Sequence, residues 1–367
     1  MTFTVMNVYS IKQACSRRAS CLMDGIAIAA LAGLFCLSAA AQTPLSPFQP
    51  ARTIVLSGVT GRFDHLAVDM ADNRLFIAAT SKHSVEVVDL KTDKIQQSIG
   101  GLGKPHGLIW VPATSSLFVA DGALGELRVY KGAPLVLAGS LKLSDDADDM
   151  VYDDATHLLF VGHGGSDAAN PAKIAIVDTD HFVLVSNLPL ATHPEALDID
   201  TKNRRVFANI AESNEVAVID TATRKIGVHW KMAKGADNVP LAFDAEHKLL
   251  YLACRTPGTV IVLDAATGKE IASLPTAPGA DDLFYDPALG RVYVIAGWRA
   301  GLRTVEITWR RNLFRAHFLP GADPRTDAQY HFTDSRRSSA ARAGIPSGLQ
   351  PGRHLLRLEG ISANGAV

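Results

Sequence analysis

The chain has 367 residues, of which 47% are hydrophobic, and its formal net charge is −1 at pH 7. This length allows two domains or one large all-β domain with a sizeable buried core. Because acidic and basic residues nearly balance, the composition gives no reason to expect binding to a phosphate backbone, which needs clustered lysine and arginine.

Residues 1–41 have the pattern of a secretory signal peptide. Basic residues precede an apolar run from Ile26 to Leu37, and small residues follow it up to Ala41. An apolar run of about a dozen residues is too short to cross a bilayer, so a membrane anchor is the weaker alternative. We predict cleavage near Ala41, a periplasmic or secreted protein, and no membrane span in the mature chain.

An internal repeat dominates the sequence that follows. Two columns of residues advance together in steps of 42, 42, 47, 44 and 42 residues. The first column holds the apolar residue that opens each unit: Leu66, Leu108, Met150, Leu197, Leu241 and Leu283. The second column holds an aromatic residue in the next strand segment: Phe76, Phe118, Phe160, Phe207, Tyr251 and Tyr293. Two columns in register indicate a true structural repeat.

Each unit contains four short segments with the composition of β-strands. In the fifth unit the segments are residues 241–243, 250–253, 260–263 and 271–274. Third segments end in an aspartate that begins a turn, at Asp89, Asp178, Asp220 and Asp264. Four strands in a period of about 40–45 residues predict an all-β fold, a β-propeller of four-stranded blades.

Three motifs give the repeat a family resemblance. They are Asp64–Asp69 (DHLAVD), Val85–Asp89 (VEVVD) and Asp281–Asp286 (DDLFYD). With them, residues 51–297 resemble the YVTN-repeat, YncE-like propellers. The resemblance implies a ring of seven blades and export from the cytoplasm, and it implies no cofactor common to all members.

The repeat stops inside its sixth unit. Residues 42–297 hold five complete blades and a partial sixth, whereas residues 298–367 contain eleven arginines and no lysine. One interpretation of this segment is a basic, disordered tail that touches nucleic acid or anionic lipid. The other is a reading frame shifted after Gly297, and we favour the second.

The mouth of the propeller channel is where the first strand of each blade begins. The residues two positions before the first column are Asp64, His106, Asp148, Glu195, Val239 and Asp281, and the next residues are His65, Gly107, Asp149, Ala196, Pro240 and Asp282. Carboxylates on a narrow channel suit Ca²⁺ or another divalent cation. Alternatively, they cap turns and bind neighbouring backbone N–H groups.

Other polar residues are predicted to share this face. His163 and His193 lie beside strand ends, and a ring of hydrogen-bonded histidines is favoured there over a transition-metal site. Arg255 follows a second strand, where it binds an anion or pairs with Asp237 or Asp281, the ion pair being favoured. Asn238 completes the candidate ligand-binding set.

The favoured function is non-catalytic: an exported scaffold that binds a small ligand or a periplasmic protein through an acidic mouth. The first alternative is a divalent-metal-dependent hydrolase resembling the gluconolactonase-type propellers, with Glu195, Asn238 and Asp281 as candidate ligands. The second is single-stranded DNA binding, which an acidic mouth disfavours. We expect a monomer, no obligatory cofactor and no nucleic-acid partner.

Overall fold

The computed structural model describes residues 2–8, 48–165, 167–287, 290–296, 305–310, 313–318 and 354–359. Two strands precede the first blade, β1 (Thr2–Val8) and β2 (Phe48–Val55), and they pair antiparallel. None of the helices in this part of the chain has the length and apolar character that a membrane crossing requires.

Five antiparallel sheets of four strands follow in the described residues, one for each complete repeat. Blade 1 consists of β3 (Leu66–Asp69), β4 (Arg74–Ala79), β5 (Ser84–Asp89) and β6 (Lys94–Ile99). Blade 2 consists of β7 (Pro105–Val111), β8 (Ser116–Asp121), β9 (Glu126–Lys131) and β10 (Val136–Lys142). Blade 3 consists of β11 (Met150–Asp153), β12 (Leu158–His163), β13 (Lys173–Asp178) and β14 (Val183–Pro189).

The next two blades repeat the pattern. Blade 4 consists of β15 (Pro194–Asp200), β16 (Arg205–Ile210), β17 (Glu215–Asp220) and β18 (Lys225–Lys231). Blade 5 consists of β19 (Ala236–Asp244), β20 (Leu249–Thr256), β21 (Thr259–Asp264) and β22 (Glu270–Pro275). Short 3-10 helices lie at Thr80–Lys82, Pro112–Thr114 and Thr201–Asn203. The predicted four-stranded repeat is therefore confirmed.

The sixth repeat is described as the hairpin of β23 (Ala280–Asp286) and β24 (Arg291–Ala296). Beyond it, β25 (Val305–Arg310) pairs with β26 (Leu313–Phe318), and β27 (His354–Glu359) pairs with β1. The rest of residues 298–367, and most of the predicted signal peptide, lie outside the described residues. The predictions about both segments therefore stay predictions.

The aromatic column forms the contact between blades. Each of these rings is the third residue of the second strand of its blade and is at most 3% exposed. Phe207 of β16 packs on Phe243 of β19 in the next blade, with 5.5 Å between ring centroids. Tyr251 stacks on Tyr285 of β23 at the same separation. Large buried rings thus join each blade to its successor, which explains why the column is aromatic.

The aspartates that end the strands close turns. Asp220 accepts hydrogen bonds from the backbone N–H and the hydroxyl of Thr223, and Asp264 accepts the same two bonds from Thr267. These bonds and those from neighbouring backbone groups hold the pKa of both carboxyls below its ordinary value. The turn chemistry predicted for this column is confirmed.

The first strand of every blade faces the inside of the arc. First strands of successive blades contact one another from β3 through β7, β11, β15 and β19 to β23, whereas the fourth strands carry exposed residues. We call the side on which the first strands begin the mouth face. Because neighbouring strands are antiparallel, the loops between second and third strands end on this face too.

Replacing Phe207 with alanine should test the contact between blades. We expect Phe207→Ala to lower the free energy of unfolding by about 3–5 kcal/mol, because it leaves a cavity between β16 and β19. Phe207→Leu keeps most of the volume and should cost clearly less. Urea denaturation measures both, and a loss below about 1 kcal/mol for alanine would contradict the assigned packing.

Candidate functional site

The mouth face gathers polar side chains where blades 1 to 4 begin. Asp64 and His65 directly precede β3, His106 lies in β7, and Asp148 and Asp149 directly precede β11. All of them are buried except Asp148, whose side chain is 21% exposed. The described residues therefore bring five of the predicted site residues together, with one carboxylate open to solvent.

Asp148 lies at the centre of three imidazoles. Its Oδ1 is 3.5 Å from His65 Nε2 and 3.5 Å from His106 Nδ1, and its Oδ2 is 3.9 Å from His193 Nε2. His193 donates from Nδ1 to the carbonyl oxygen of Gly164, 2.6 Å away, which leaves its Nε2 directed toward the carboxylate. Three histidines predicted for the mouth thus converge on one acidic residue.

Asp64 completes the first half of the cluster. Its Oδ2 is 2.7 Å from His106 Nδ1 and accepts a hydrogen bond from Arg62, 3.3 Å away. Its Oδ1 is 3.7 Å from His65 Nε2. Its two oxygens therefore face different partners, and Oδ2 faces the permanent positive charge of Arg62.

Asp149 supports the cluster from the neighbouring blade. Its Oδ2 accepts a 2.7 Å hydrogen bond from the backbone N–H of Leu197 in β15, which ties blade 3 to blade 4. Its Oδ1 lies 3.8 Å from His65 Nδ1. One oxygen of this residue caps a strand, as the turn-capping interpretation predicts, while the other faces an imidazole.

Two glycines make room for these side chains. A Cβ at Gly107 would lie 2.2 Å from the carbonyl oxygen of Asp148, and a Cβ at Gly122 would lie 3.0 Å from the His106 ring. Neither position can carry a larger residue without displacing its neighbour. The glycine in the second mouth column is therefore a packing requirement, and it lets blade 2 approach blade 3 closely.

Charged groups at the mouth shift the pKa values of their neighbours. Burial disfavours charge on Asp148, but the imidazoles of His193, His65 and His106 hold its pKa well below the ordinary value. Burial also disfavours charge on His193, yet the Asp148 carboxylate raises its pKa to about 9. The imidazolium of His193 and the Asp148 carboxylate are thus both favoured at neutral pH.

Two further carboxyls shift in the opposite direction. Burial raises the pKa of Asp149, although His65 opposes the rise. Burial likewise raises the pKa of Glu195, and the charges of Asp148 and Asp281 add to this effect against His193 and Arg255. The pKa of Glu195 therefore depends both on charges of the cluster, such as Asp148, and on charges of blades 5 and 6, such as Arg255 and Asp281.

The other predicted site residues do not join the cluster. Arg255 forms an ion pair with Asp281 and also donates to the carbonyl oxygen of Ala280, so the favoured ion pair is confirmed. Asn238 donates to Asn209 Oδ1 and to the carbonyl oxygen of Glu215. Asp282 accepts from the backbone N–H of Leu283, as a turn cap does.

One grouping of ligand atoms in the described part of the chain is suited to a metal ion. Asp64, His65 and Asp148 each offer one atom, and these atoms lie within 4.8 Å of one another. Imidazole nitrogen combined with carboxylate oxygen is a donor set for divalent transition metals. The set differs from Glu195, Asn238 and Asp281, the residues considered for the gluconolactonase-like alternative.

Sequence reasoning missed two charged residues at the edge of the cluster. Arg62 contacts Asp64, and Asp146 lies 3.9 Å from His193 Nδ1 and 3.6 Å from Lys104 Nζ. Both occur two residues before a mouth position, Asp146 in a run of four aspartates. Closely spaced acidic residues are stabilised by nearby cations, so this run of aspartates indicates that further charged residues lie at the mouth.

His163 is a structural residue apart from the cluster. Its Nδ1 accepts from the backbone N–H of Ser144, and its Nε2 donates to Asn187 Oδ1. Both bonds suit the neutral ring, and burial lowers the pKa of His163 to about 4. This histidine joins the segment before β11 to β14, apart from the cluster.

The pH dependence of unfolding should report the neutral state of His163. The unfolded chain takes up this proton near pH 6.5, whereas the folded chain does so only near pH 4. The stabilisation is complete above pH 6.5 and falls by about 1.4 kcal/mol per pH unit between these values. His163→Gln retains a donor and an acceptor but has no group that titrates in this range. The free energy of unfolding of this variant, measured with urea from pH 7 to 4, should therefore lack the part of the decrease that His163 causes.

His181 provides a control of opposite sign. The hydrogen bond from exposed His181 to half-buried Asp178 raises the pKa of His181, so its contribution to stability is present at acidic pH and disappears as pH rises. His181→Gln should therefore make the loss of stability at acidic pH slightly steeper, not shallower. Equal pH profiles for His163→Gln and the unmodified chain would contradict the assigned role of His163.

Comparisons with known proteins agree with this architecture. No family model matches the chain. The chain is 22% identical over 200 residues to the uncharacterised protein YncE of Salmonella typhi and to that of Salmonella typhimurium. The aligned part is 53% of this chain and 54% of each relative, so the match spans about half the length of these curated relatives.

A solved structure extends the similarity in fold alone. A propeller chain of the WD40 type in the crystal structure of the mitotic checkpoint complex superposes with a TM-score of 0.66 and 13% identity. The superposition covers 88% of this chain and 93% of the other. With the four-stranded blades, the sequence similarity and the shared fold support a YncE-like repeat β-propeller.

Proposed function

We propose that this propeller is an exported binding protein whose mouth face takes up a small cationic ligand. The observation that carries the proposal is the partly exposed Asp148 carboxylate beside the buried carboxylates of Asp64 and Asp149. Carboxylates that share a partly desolvated site concentrate negative potential, and they attract a cation more strongly than separated surface acids do.

Glu195 extends this negative region toward blade 5. Its raised pKa indicates that burial and neighbouring carboxylates already disfavour its charge. A bound cation would relieve that repulsion, and its binding would favour the ionised form of Glu195. The region therefore has the electrostatic character of a cation-binding surface, and a small organic cation or a metal ion would satisfy it.

The two alternative functions have less support. In the gluconolactonase-like reading, Asp281 would hold a metal, but the Arg255 guanidinium already neutralises it. Asn238, the second candidate ligand, is fully buried and donates from its amide nitrogen to blade 4, so its oxygen is the atom left for a ligand. Single-stranded DNA binding needs basic and aromatic residues on one face, whereas carboxylates occupy this one.

Export is the second element of the proposal. We expect the protein to be recovered from the periplasm with residues 1–41 removed, because the leader has the charge and apolar pattern of a signal peptide. Intact-mass measurement of periplasmic protein would then give Gln42 as the first residue. A mature protein that retains Thr2–Val8, the strand paired with β2, would contradict cleavage.

Thermal unfolding should detect the cation. After treatment with EDTA, the full chain should show a higher melting temperature with at least one of Ca²⁺, Mn²⁺ and a short diamine, at matched ionic strength. A ligand that binds the folded state alone stabilises it by about 2.7 kcal/mol at a hundredfold excess over Kd.

Matched variants locate the effect. Asp148→Asn should reduce the rise in melting temperature, because it removes the exposed charge at the centre of the cluster. Asp237→Asn is the control: it removes one charge from an exposed position on the same face, where a φ of 56° suits asparagine. If no cation raises the melting temperature of the unmodified chain, the proposed function is wrong.

A further inference from the structure

We infer that Asp64, His65 and Asp148 form a binding site for a divalent first-row transition metal ion. The site lies where blades 1 and 3 meet on the mouth face, with Asp64 Oδ1, His65 Nε2 and Asp148 Oδ1 as ligand atoms. This inference rests on the proposed function, since it names the class of cation that the acidic mouth takes.

The separations within the cluster suit a shared ion better than direct hydrogen bonds. His65 Nε2 is 3.7 Å from Asp64 Oδ1 and 3.5 Å from Asp148 Oδ1, which is too long for good hydrogen bonds. Ligand atoms bound at about 2.0–2.2 Å in tetrahedral geometry lie about 3.3–3.6 Å apart. All the ligand atoms of these three residues lie within 4.8 Å of one another, so an ion among them would draw the most distant pair together.

A second layer of side chains surrounds the three ligands. His65 presents Nε2 to the site while its Nδ1 faces Asp149 at 3.8 Å, so a small approach of these two groups would give the carboxylate–histidine–metal order that orients imidazole ligands. His106 contacts the second oxygen of Asp64, and His193 contacts the second oxygen of Asp148. Each candidate ligand thus has its own partner, which is the arrangement that fixes ligands in metal sites.

Buried polar atoms provide an independent indication of a ligand. His106 is 2% exposed, and while its Nδ1 lies 2.7 Å from Asp64 Oδ2, its Nε2 makes no hydrogen bond within the described residues. Asp149 is 4% exposed, and its Oδ1, directed toward His65, makes none either. Buried groups without hydrogen bonds are costly and uncommon in folded proteins, so an additional charged partner in the cluster would explain them.

The donor set selects the class of metal. An imidazole nitrogen with two carboxylates suits Zn²⁺, Co²⁺ or Mn²⁺, whereas Ca²⁺ takes six to eight oxygen ligands and Mg²⁺ keeps most of its water. Three protein ligands leave at least one coordination position for water or another small ligand. Of the three ligand residues, Asp148 has a partly exposed side chain, and the other two are buried.

The competing explanation is charge balance without a metal. In that case the histidines are protonated and neutralise the carboxylates as ion pairs, and the cluster only joins blades 1, 3 and 4. The two explanations differ in one measurable property, since only the metal site binds transition ions with an affinity that depends on Asp148 and His65.

Co²⁺ is the best probe, because its visible absorption reports the coordinating atoms directly. The full chain is stripped with EDTA, dialysed and titrated with Co²⁺, and Zn²⁺ is then added in competition. We expect one Co²⁺ per chain with a visible band typical of nitrogen and oxygen ligands, and we expect Zn²⁺ to displace it. Ca²⁺ in equal excess should leave the band unchanged.

Variants test each layer of the site. Asp148→Asn and His65→Gln remove proposed ligands and should weaken Co²⁺ binding by more than about 100-fold. Asp149→Asn changes only the partner of a ligand and should weaken binding by about 10–100-fold. Asparagine at this position can still accept the bond from the Leu197 N–H. Asp237→Asn should bind like the unmodified chain. Asp148 is partly exposed, so Asp148→Asn remains informative even if His65→Gln does not fold.

Three outcomes would overturn the inference. Equal Co²⁺ affinity in the unmodified chain, Asp148→Asn and His65→Gln would place the metal elsewhere. Stabilisation by Ca²⁺ or a diamine, without Co²⁺ or Zn²⁺ binding, would reject transition-metal coordination but leave the proposed function intact. Absence of binding by every cation would reject both, and would assign the cluster to ion pairing between blades.

Discussion

The packing of each second-strand aromatic ring on the next blade is the interaction on which the rest of the structure depends. A single blade cannot bury both faces of its sheet, so its stability comes from the neighbouring blade. Rings such as Phe207 and Tyr251 fill that space and fix the distance between successive first strands. The buried aromatic contacts between blades thus position the first strands, and with them the polar residues on the mouth face.

This arrangement forces ionisable groups together at the mouth. First strands converge there, and Asp64, Asp148 and Asp149 lose much of their hydration where blades 1 and 3 meet. Burying carboxylates is unfavourable unless positive charge or hydrogen bonds compensate. His193 and Arg62 supply part of the compensation, and the Leu197 N–H supplies another part. Such a site is stable in the protein and remains favourable for a cation.

The fold could be predicted from the sequence, and so could the residues that lie on the mouth face. The spacing of Leu and Phe positions predicted four-stranded blades, and the column arithmetic placed Asp64, His65 and Asp148 on one face. It could not determine which residues meet, because pairing shifts by a residue at the starts of several first strands, as between Pro194 and Ala196. Such irregularities redirect side chains and have no signature in residue type alone.

The acidic column does not act as a uniform ring. Arg255 neutralises Asp281 near blade 6, whereas the ion pairs of Asp148 in the described part of the chain are with imidazoles. A metal ion can replace the proton on an imidazole nitrogen, whereas a guanidinium keeps its protons. The region around Asp148 and the region around Asp281 therefore respond differently to a cation. The proposed metal site therefore belongs to the histidine-rich half of the mouth face.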